Sequence, residues 1–514
     1  MDIADITFIG SGLATTVTLI ELFSKLANSN EPVTRKLNIA VIEKNQEFWL
    51  GIPYGSRSSV NALTITCVQD FVYENERPLF FEWLKANKND WAAYYREHGG
   101  VTAARWLDNN LPLIDKEDWE TVYIPRFIFG KYILEKFNRL LQQVTEKQLV
   151  EMKLIQAEAI DVKHIGDLYE ILLENTDAAL TKVKTHKLVI ATGSAPVRRM
   201  YDSTDDKSIY FNDIYDPSVK QNLKSLYDAL AETEHTADRN VLVIGSNASS
   251  IELLYLLEGR EDLRKLINKT VIISPSGLLP YHISTEVIED HKIPNLEKLK
   301  AEGYYTLKTL IDATSADLKL ALKNGANVDY IATIITNVLQ VLETMGEQAK
   351  KEFIGIYGMK LSQMFRRSGP EYKYGSQLLV DLQEVILLKG KYISASPGEK
   401  GVLLTYEETE TGDQKTYPLS FKAIINCSGS DNLEHSSSRL IQCIVRDHGC
   451  KINLSGKGFE VNEKFETAPH LYVMGPLLGG NMNKLIHFWH LENAPRLMYL
   501  APHLAEELLQ SNTV

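Results

Sequence analysis

Two stretches of the chain share one pattern, in which a short apolar run enters a Gly turn and a helix-like run follows. In the first stretch, residues 6–9 lead into the turn at residues 10–12. In the second, residues 240–244 lead into the turn at residues 245–247. Such a turn brings backbone N–H groups and a helix N-terminus together, where a pyrophosphate can bind. The pattern predicts two nucleotide-type βα units, although Gly turns between strands and helices also occur without a ligand.

The first turn matches the dinucleotide fingerprint at two of its three glycine positions. Gly10 permits the tight turn, and Gly12 lets a phosphate approach the backbone. Thr15 stands where Gly or Ala is usual, which predicts slightly looser packing of the helix on the strand. The next apolar strand ends on Glu43, an acid that can accept hydrogen bonds from ribose hydroxyl groups. The residues that we expect to bind an adenine dinucleotide here are Gly10, Ser11, Gly12, Leu13, Ala14, Thr15, Glu43 and Lys44.

The second turn departs further from the fingerprint. Asn247 replaces the second glycine, and Asn tolerates a left-handed backbone better than most residues. Ser250 replaces the third glycine. The following strand ends on Ser274, with neither an acid to select NADH nor a basic residue to hold the 2′-phosphate of NADPH. The candidate ligands of a second nucleotide are Gly245, Ser246, Asn247 and Ser249, and a Rossmann-like turn without a ligand is the alternative.

The rest of the chain alternates helix-like and strand-like segments. Residues 74–120 are amphipathic and helix-like, and residues 154–193 alternate like a small antiparallel sheet, with residues 154–162 as one strand. Residues 287–367 predict a largely helical insertion, and strand-like character returns at residues 385–425.

Several positions outside the two turns suit a bound nucleotide. Arg126, near a helix start, is well placed for an anion, and Trp49 in an ordered loop can wall a flat ring system. A solvated arginine and a core tryptophan are the structural alternatives. The other candidates end a strand or begin a helix, and they are Thr192, Gly193, Gly475, Pro476 and Asn493.

Composition narrows the class of protein. A length of 514 residues implies two or three domains, and 44% hydrophobic with 24% charged residues is typical of a soluble globular chain. The formal net charge of −12 disfavours a nucleic-acid partner, and no apolar run approaches the length of a membrane span. Four cysteines lie far apart without C-x-x-C spacing, so we expect a reducing cytoplasm, no disulfides and no metal site.

Taken in order, these motifs resemble the FAD/NAD(P)-binding flavoproteins with two dinucleotide-binding domains, which are related to flavin N-hydroxylating and Baeyer–Villiger-type monooxygenases. The segments that carry the resemblance are Gly10-x-Gly12 with Glu43, Tyr-x-Pro-Arg-x-x-x-Gly at 123–130, Ala191-Thr192-Gly193, Gly245-Ser246-Asn247, Gly277-Leu278-Leu279-Pro280 and Glu492-Asn493-Ala494-Pro495. The resemblance implies an α/β fold with two Rossmann-like, doubly wound domains and a helical insertion. It implies an FAD-binding domain at 1–200, an NAD(P)-binding domain at 201–420 with the insertion at about 287–367, and an FAD-binding return segment at 421–514.

The resemblance further implies that FAD binds at the first turn, at Glu43 and at the C-terminal turn, and that NADPH or NADH binds at the second turn. It favours an FAD-dependent oxidoreductase, specifically an NAD(P)H-dependent monooxygenase that oxygenates a small molecule with dioxygen through a flavin C4a-(hydro)peroxide. The flavin carries this chemistry, so no catalytic residue stands out. Asn61, His487 and His490 are candidates to line the substrate pocket.

Two alternatives stay open at this point. One is an FAD-dependent dehydrogenase or oxidase with a vestigial nicotinamide site, and the other is a non-catalytic flavin-binding sensor or interaction protein. The lack of a C-x-x-C motif near the first helix argues against a disulfide reductase, whose chemistry needs a redox dithiol beside the flavin. Assembly into a homo-oligomer is left open.

Overall fold

A computed structural model describes residues 3–29, 35–202, 207–282, 290–364 and 367–510 of the chain. Its strands, in chain order, are β1 Ala4–Ile9, β2 Leu37–Glu43, β3 Val150–Gln156, β4 Glu158–Ile165, β5 Leu168–Glu174, β6 Leu180–Ile190, β7 Ile209–Phe211, β8 Asn240–Ile244, β9 Lys269–Ser274, β10 Tyr281–His282, β11 Arg367–Ser368, β12 Val385–Pro397, β13 Val402–Glu408, β14 Gln414–Phe421, β15 Ala423–Asn426, β16 Glu466–Ala468, β17 Leu471–Val473, β18 Asn481–Met482 and β19 His487–Phe488. Its helices are α1 Leu13–Asn28, α2 Gly51–Tyr54, α3 Val68–Phe71, α4 Arg77–Ala86, α5 Lys88–His98, α6 Gly100–Asp115, α7 Arg126–Glu146, α8 Val219–Ala231, α9 Ala248–Glu258, α10 Glu261–Arg264, α11 Pro294–Glu302, α12 Leu307–Lys323, α13 Val328–Glu343, α14 Glu347–Glu352, α15 Gly358–Met364, α16 Pro370–Asp381, α17 Arg439–Asp447 and α18 Ala494–Gln510.

The first sheet has eight strands, and its parallel part follows the order β17-β6-β1-β2-β3. Every residue of β1 is buried, and this strand pairs with β2 on one side and β6 on the other. Continuous apolar runs form such strands because helices cover both faces of a parallel sheet. Helices α1 and α18 pack side by side, and Lys25 near the end of α1 lies 3.9 Å from Glu506 near the end of α18. Both helices therefore begin at the carboxyl edge of the sheet.

The second sheet has seven strands in the order β14-β13-β12-β9-β8-β15-β7. The strands from β12 to β7 pair in parallel, while β13 and β14 continue the sheet antiparallel. Apolar clusters cover both faces. Strand β15 pairs with β8 and β7, so this sheet extends past the boundary that we predicted at residue 420. The reason is that β15 stands beside β8 as β6 stands beside β1, and so belongs to the second βα unit.

Helices α11 to α15 lie between β10 and β11 and enclose an apolar core of their own. We call residues 290–364 the helical lobe; the parts of the predicted insertion at 287–289 and 365–366 lie outside the described residues. A π-helical turn, Phe353–Tyr357, connects α14 to α15. Two glycines let the lobe approach the C-terminal segment closely. A Cβ on Gly355 would lie 2.6 Å from Leu454 Cβ, and one on Gly358 would lie 2.5 Å from Trp489 Cβ.

Two parallel sheets covered by helices, with a helical lobe inserted in the second unit, confirm the predicted α/β, doubly wound class. The single strand predicted at residues 154–162 is wrong. β3 is the parallel partner of β2, whereas β4 is the antiparallel partner of β5. Between them, Ala157 donates its N–H to the carbonyl of Glu43 at 2.9 Å and ends the parallel pairing. Within the described residues, we find no helix with both the length and the apolar content that a bilayer crossing requires.

Candidate functional site

The first turn, between β1 and α1, needs glycine at two positions for two different reasons. Gly10 has φ +95°, and a Cβ there would lie 2.3 Å from the carbonyl oxygen of Ala191. A side chain at Gly10 is therefore excluded by backbone strain and by the adjacent chain. Gly12 is extended, with φ −69° and ψ −173°, and among the described residues its Cβ would meet only the Cα of Gly51, at 3.7 Å. At Gly12 the requirement is open space above the turn, not backbone conformation.

Helix α1 starts in a way that suits an anion. Its N-cap residue, Gly12, supplies no side-chain acceptor, and its first turn contains no acid. The first N–H groups are thus available to a phosphate in the open space beside Gly12. Thr15 holds the helix to the turn, because its hydroxyl donates to the carbonyl of Gly10 at 2.6 Å. The residue that departs from the fingerprint therefore supports the turn, and the cradle fits a pyrophosphate.

Glu43 lies beside this turn, and both of its carboxylate oxygens are already hydrogen-bonded. Oε2 accepts from the N–H and the hydroxyl of Ser11 at 3.0 and 2.9 Å. Oε1 accepts from the N–H and the side-chain amide of Asn45 at 3.0 and 2.8 Å. Because a carboxylate offers about four acceptor sites, ribose hydroxyls must displace one of these donors to bind Glu43. Lys44 follows as an exposed residue.

Trp49 contacts the turn through its backbone. Its N–H donates to the hydroxyl of Ser11 at 3.3 Å, and its carbonyl accepts from the hydroxyl of Thr16. Its indole is buried against Phe137, with ring centroids 4.3 Å apart. The two backbone bonds and the packing on Phe137 hold the ring in the core beneath the loop. Its contact with a flat cofactor stays a prediction.

The second turn, between β8 and α9, repeats the hydrogen-bond pattern of the first. Gly245 has φ +101°, and a Cβ there would lie 2.4 Å from the carbonyl oxygen of Cys427. The hydroxyl of Ser250 donates to the carbonyl of Gly245 at 2.5 Å. The hydroxyl of Ser246 donates to that of Ser274 at 2.9 Å, at the place where the first turn uses a carboxylate.

Asn247 adopts an extended backbone, with φ −90° and ψ −156°. The tolerance of Asn for a left-handed backbone is therefore not needed here, because Gly245 takes the positive φ. Asn247 does not cap α9 with its side chain, and the first turn of this helix contains no acid. Ser249 lies half-buried in that first turn. The second turn thus offers N–H groups like the first, but a Cβ stands where the first turn leaves open space.

The C-terminal segment reaches the first turn. Met474 follows β17 and donates its N–H to the carbonyl of Ile190 at 2.9 Å. Gly475 has φ +96°, and a Cβ there would lie 3.3 Å from the Cβ of Ala14. Pro476 begins the short helical turn that follows. The predicted residues of the first turn and of the C-terminal turn therefore lie together.

Three further predicted residues lie at helix and strand ends. Thr192 is exposed just after β6, and Gly193 has φ +84° with no atom within 4 Å of the position of a Cβ among the described residues. Asn493 caps α18, because its Oδ1 accepts the N–H of Arg496 at 3.2 Å. The carboxyl edge of the first sheet thus collects two helix N-termini and an open, glycine-lined space.

Arg126, which we predicted near an anion, forms an ion pair with a carboxylate of the second unit, and its role as a cofactor ligand stays a prediction. Its Nη2 lies 2.7 Å from Oε2 of Glu252 on α9, and its Nε donates to the carbonyl of Leu63 at 2.8 Å. Tyr215 and Tyr372 donate their hydroxyls to the same carboxylate at 2.7 and 3.4 Å. Burial alone would lower the pKa of Arg126, but Glu252 raises it, while burial and Glu252 raise the pKa of both tyrosines well above the usual value. This network joins the first βα unit to the helix of the second.

Three residues at the site are absent from the sequence prediction. Asn45 occupies one oxygen of Glu43, and Gly51 faces Gly12 across the turn. Glu252 anchors the network between the two units. Only Glu252 has a recognisable signal, since it is a single acid inside the apolar run of a helix.

The predicted pocket residues occupy three different settings. The side-chain amide of Asn61 donates to the carbonyl of Gly99 at 3.1 Å, at the corner between α5 and α6. His487 is exposed in the β18–β19 hairpin, and its ring stacks on Phe488 at 4.8 Å. His490 is half-buried just beyond this hairpin. Their role in a pocket stays a prediction.

One group of three ligand-type side chains occurs among the described residues, Asp161, Cys443 and Asp447. Cys443 donates its thiol to Asp161 at 2.7 Å, and burial together with that carboxylate raises the pKa of Cys443 to about 12. Asp447 pairs with Arg446 at 2.6 Å. In this arrangement the thiol is hydrogen-bonded to one carboxylate, and the other carboxylate is paired with an arginine.

Known proteins resemble this chain in sequence. The sequence model of a family described as FAD-NAD(P)-binding matches residues 7–195. Uncharacterized proteins of Mycobacterium tuberculosis and Mycobacterium bovis are each 35% identical over 512 residues, which covers 99% of this chain and 95% of theirs.

Solved structures share the fold. L-lysine 6-monooxygenase from Pseudomonas syringae matches with a TM-score of 0.54 at 12% identity, covering 98% of this chain and 99% of that one. The reduced form of ornithine hydroxylase from Pseudomonas aeruginosa matches with a TM-score of 0.50 at 13% identity, covering 99% of this chain and 100% of that one.

Proposed function

Because the chain belongs to the FAD/NAD(P)-binding family that includes these mycobacterial proteins, we propose that it is an FAD-dependent oxidoreductase, and specifically an NAD(P)H-dependent monooxygenase of a small molecule. One observation carries the proposal. Two helices, α1 and α9, each begin without a side-chain cap, just after a glycine with positive φ, at the edges of two separate parallel sheets. One chain therefore offers places for two dinucleotides.

In this proposal FAD binds at the first sheet. The pyrophosphate lies over Gly12 at the start of α1, and Glu43 binds the ribose in exchange for one of its present donors. The start of α18 and the turn at Gly475 face the flavin end. The FAD-binding domain then consists of residues 1–200 and a return segment that starts after β15.

The nicotinamide nucleotide binds at the second turn, with Ser246, Asn247 and Ser249 beside its phosphates. No carboxylate ends β9, so this site carries less negative charge than the first. NADPH and NADH are both compatible with the hydroxyls of Ser246 and Ser274.

The chemistry divides between cofactor and protein. When bound, the flavin supplies the redox steps, accepting a hydride from the reduced nicotinamide and reacting with dioxygen. The protein binds the two nucleotides in a fixed relation, and the buried pair of Arg126 and Glu252 holds the two units together. The apolar packing of the loop around Trp49 excludes water from below the first turn.

The fold shared with L-lysine 6-monooxygenase and ornithine hydroxylase supports the monooxygenase assignment within this class. All four cysteines are buried, and no two of them form a C-x-x-C pair. The sequence therefore offers no C-x-x-C dithiol of the kind that a disulfide reductase uses. One observation favours a second candidate, an FAD-dependent dehydrogenase or oxidase with a vestigial nicotinamide site. The Cβ of Asn247 occupies the place that stays open at Gly12.

Absorption spectra of the purified protein test both candidates. We expect a yellow protein that is bleached by NADPH or NADH under argon and recovers its colour in air, with nicotinamide consumption that depends on dioxygen. Consumption that proceeds without dioxygen when an artificial electron acceptor is supplied, and that dioxygen does not stimulate, would favour the dehydrogenase. A flavin that neither nicotinamide reduces would indicate a non-catalytic flavin-binding protein, and a colourless protein that takes up no FAD would refute the proposal.

A further inference from the structure

Arg496 is a largely buried cation in the first turns of α18. Its Nη1 donates to the carbonyl of His490 at 2.6 Å. Its guanidinium carbon lies 4.9 Å from the centroid of the Phe488 ring and 5.9 Å from that of Trp489. These contacts orient the guanidinium between two aromatic rings, and they leave the edge formed by Nε and Nη2 without a protein acceptor among the described residues.

No acid balances this charge in the part of the chain that the structure describes. Arg496 takes part in none of the ion pairs of the described residues, in contrast to the buried Arg126, which pairs with Glu252. Burial lowers the pKa of Arg496 to about 10, and no carboxylate opposes that shift. The side chain still carries its charge at neutral pH. A buried charge is normally paired, because leaving it alone costs free energy.

A second donor without an acceptor lies beside this arginine. The Nε1–H of Trp489 is buried and has no hydrogen-bond partner among the described residues. An indole N–H can only donate, so both groups call for an acceptor. Trp489 also packs against the helical lobe, where Gly358 leaves room for its ring. The two donors therefore lie at the seam between the C-terminal segment and the helical lobe.

We propose that Arg496 and the Nε1–H of Trp489 anchor a carboxylate of the substrate at this seam. This inference rests on the proposed function, because the substrate it describes is the small molecule of that reaction. The planar Nε–Nη2 edge matches the two oxygens of a carboxylate, and charge-assisted bonds of this kind are strong. Phe488 and Trp489 supply apolar walls that suit the carbon part of an organic acid.

Calorimetric titration of the FAD-loaded protein with benzoate tests the inference, with benzamide as the uncharged probe of the same shape. We expect benzoate to bind and benzamide to bind at least about tenfold more weakly. The reason is that a charge-assisted hydrogen bond contributes more binding free energy than a neutral one, by an amount that corresponds to this factor. The affinity of Arg496→Met for benzoate should be at least about tenfold lower than that of the wild type. Arg496→Lys should keep part of the affinity, because it keeps the charge but not the fork. Arg446→Met is the matched control, since Arg446 is an exposed arginine paired with Asp447.

Several outcomes would overturn the inference. If benzoate does not bind the wild-type protein, or binds Arg496→Met with unchanged affinity, then Arg496 does not anchor a carboxylate. A shift in the flavin midpoint potential of Arg496→Met with unchanged benzoate affinity would assign the arginine to the flavin. Circular dichroism and the flavin content of Arg496→Lys show whether the fold survives. If the wild-type protein takes up no FAD but binds benzoate in an Arg496-dependent manner, the anchor stands and only the flavoenzyme assignment fails.

Discussion

The two glycines of the first turn give a prediction that separates folding from FAD binding. Alanine at Gly12 adopts an allowed extended backbone, and its Cβ makes an ordinary 3.7 Å contact with Gly51. The free energy of unfolding of Gly12→Ala should thus stay within about 1 kcal/mol of wild type. An alanine that replaces Gly10 would have to adopt φ +95°, and its Cβ would lie 2.3 Å from a carbonyl oxygen. Backbone strain of about 1–2 kcal/mol and overpacking of about 1–3 kcal/mol together predict a loss of about 3 kcal/mol.

The loss of FAD affinity should rank these variants differently from the loss of stability. In Gly12→Val the side chain fills the space of the pyrophosphate, so we expect an affinity loss of more than about 100-fold, corresponding to two or more charge-assisted hydrogen bonds. Gly10→Ala should lose flavin only as far as it loses structure. Gly166→Ala is the control for strain alone, because Gly166 has φ +62° and no atom of the described residues within 4 Å of a Cβ.

Two measurements test the separate roles of the two glycines. They are the ratio of flavin to protein from the absorption spectrum, and urea unfolding of the apoprotein. A yellow Gly12→Val variant with stoichiometric flavin would refute the placement of the pyrophosphate. Equal destabilisation of Gly10→Ala and Gly12→Ala would refute the assignment of separate roles to the two glycines.

Three further predictions follow from other contacts. Glu252→Ala leaves the buried Arg126 unpaired and should cost about 3–5 kcal/mol in urea unfolding, against less than about 1 kcal/mol for Asp228→Ala in an exposed pair; a cost below that of the control would contradict the role of the network. Ser274→Glu places a carboxylate at the end of β9 and should shift the ratio of NADH to NADPH affinities by at least about tenfold towards NADH; an unchanged ratio would place the ribose elsewhere. Burial lowers the pKa of Lys187 to about 8 from its usual 10.5, so the folded chain binds fewer protons than the unfolded chain between these values. The stability of the wild type relative to Lys187→Met should therefore rise with pH across that window and stay flat below it, as followed by urea unfolding at a series of pH values.

The sequence predicts well where local chemistry decides the structure. A run of apolar residues that ends on Gly10 or Gly245 requires a strand and a tight turn, and both form. Glu43 lies beside the first turn because a parallel strand ends there. Each strand and its turn depend on residues close together in the chain, and the apolar pattern shows them directly.

Contacts between distant segments could not be predicted from the sequence. Arg126 pairs with Glu252, far along the chain, and nothing in the sequence around either residue states the partner. Trp49 resembles a ring-stacking residue in its loop, but its contact with Phe137 on α7 places the ring in the core. In the same way, β15 is assigned to its sheet by its partner strands and not by its own residues.

The two turns share one backbone arrangement but differ in the side chains around it. The hydroxyls of Thr15 and Ser250 make the same bond to the first glycine of each turn, so neither departure from the fingerprint disturbs the geometry. The turns differ in their middle, where Asn247 has a Cβ and Gly12 has none. They also differ at the end of the second strand, where the first unit has the carboxylate of Glu43 and the second has the hydroxyl of Ser274. A carboxylate favours free ribose hydroxyls and repels a phosphate, whereas a hydroxyl accepts both. We therefore expect the side chain at the end of the second strand to influence which nucleotide each unit selects.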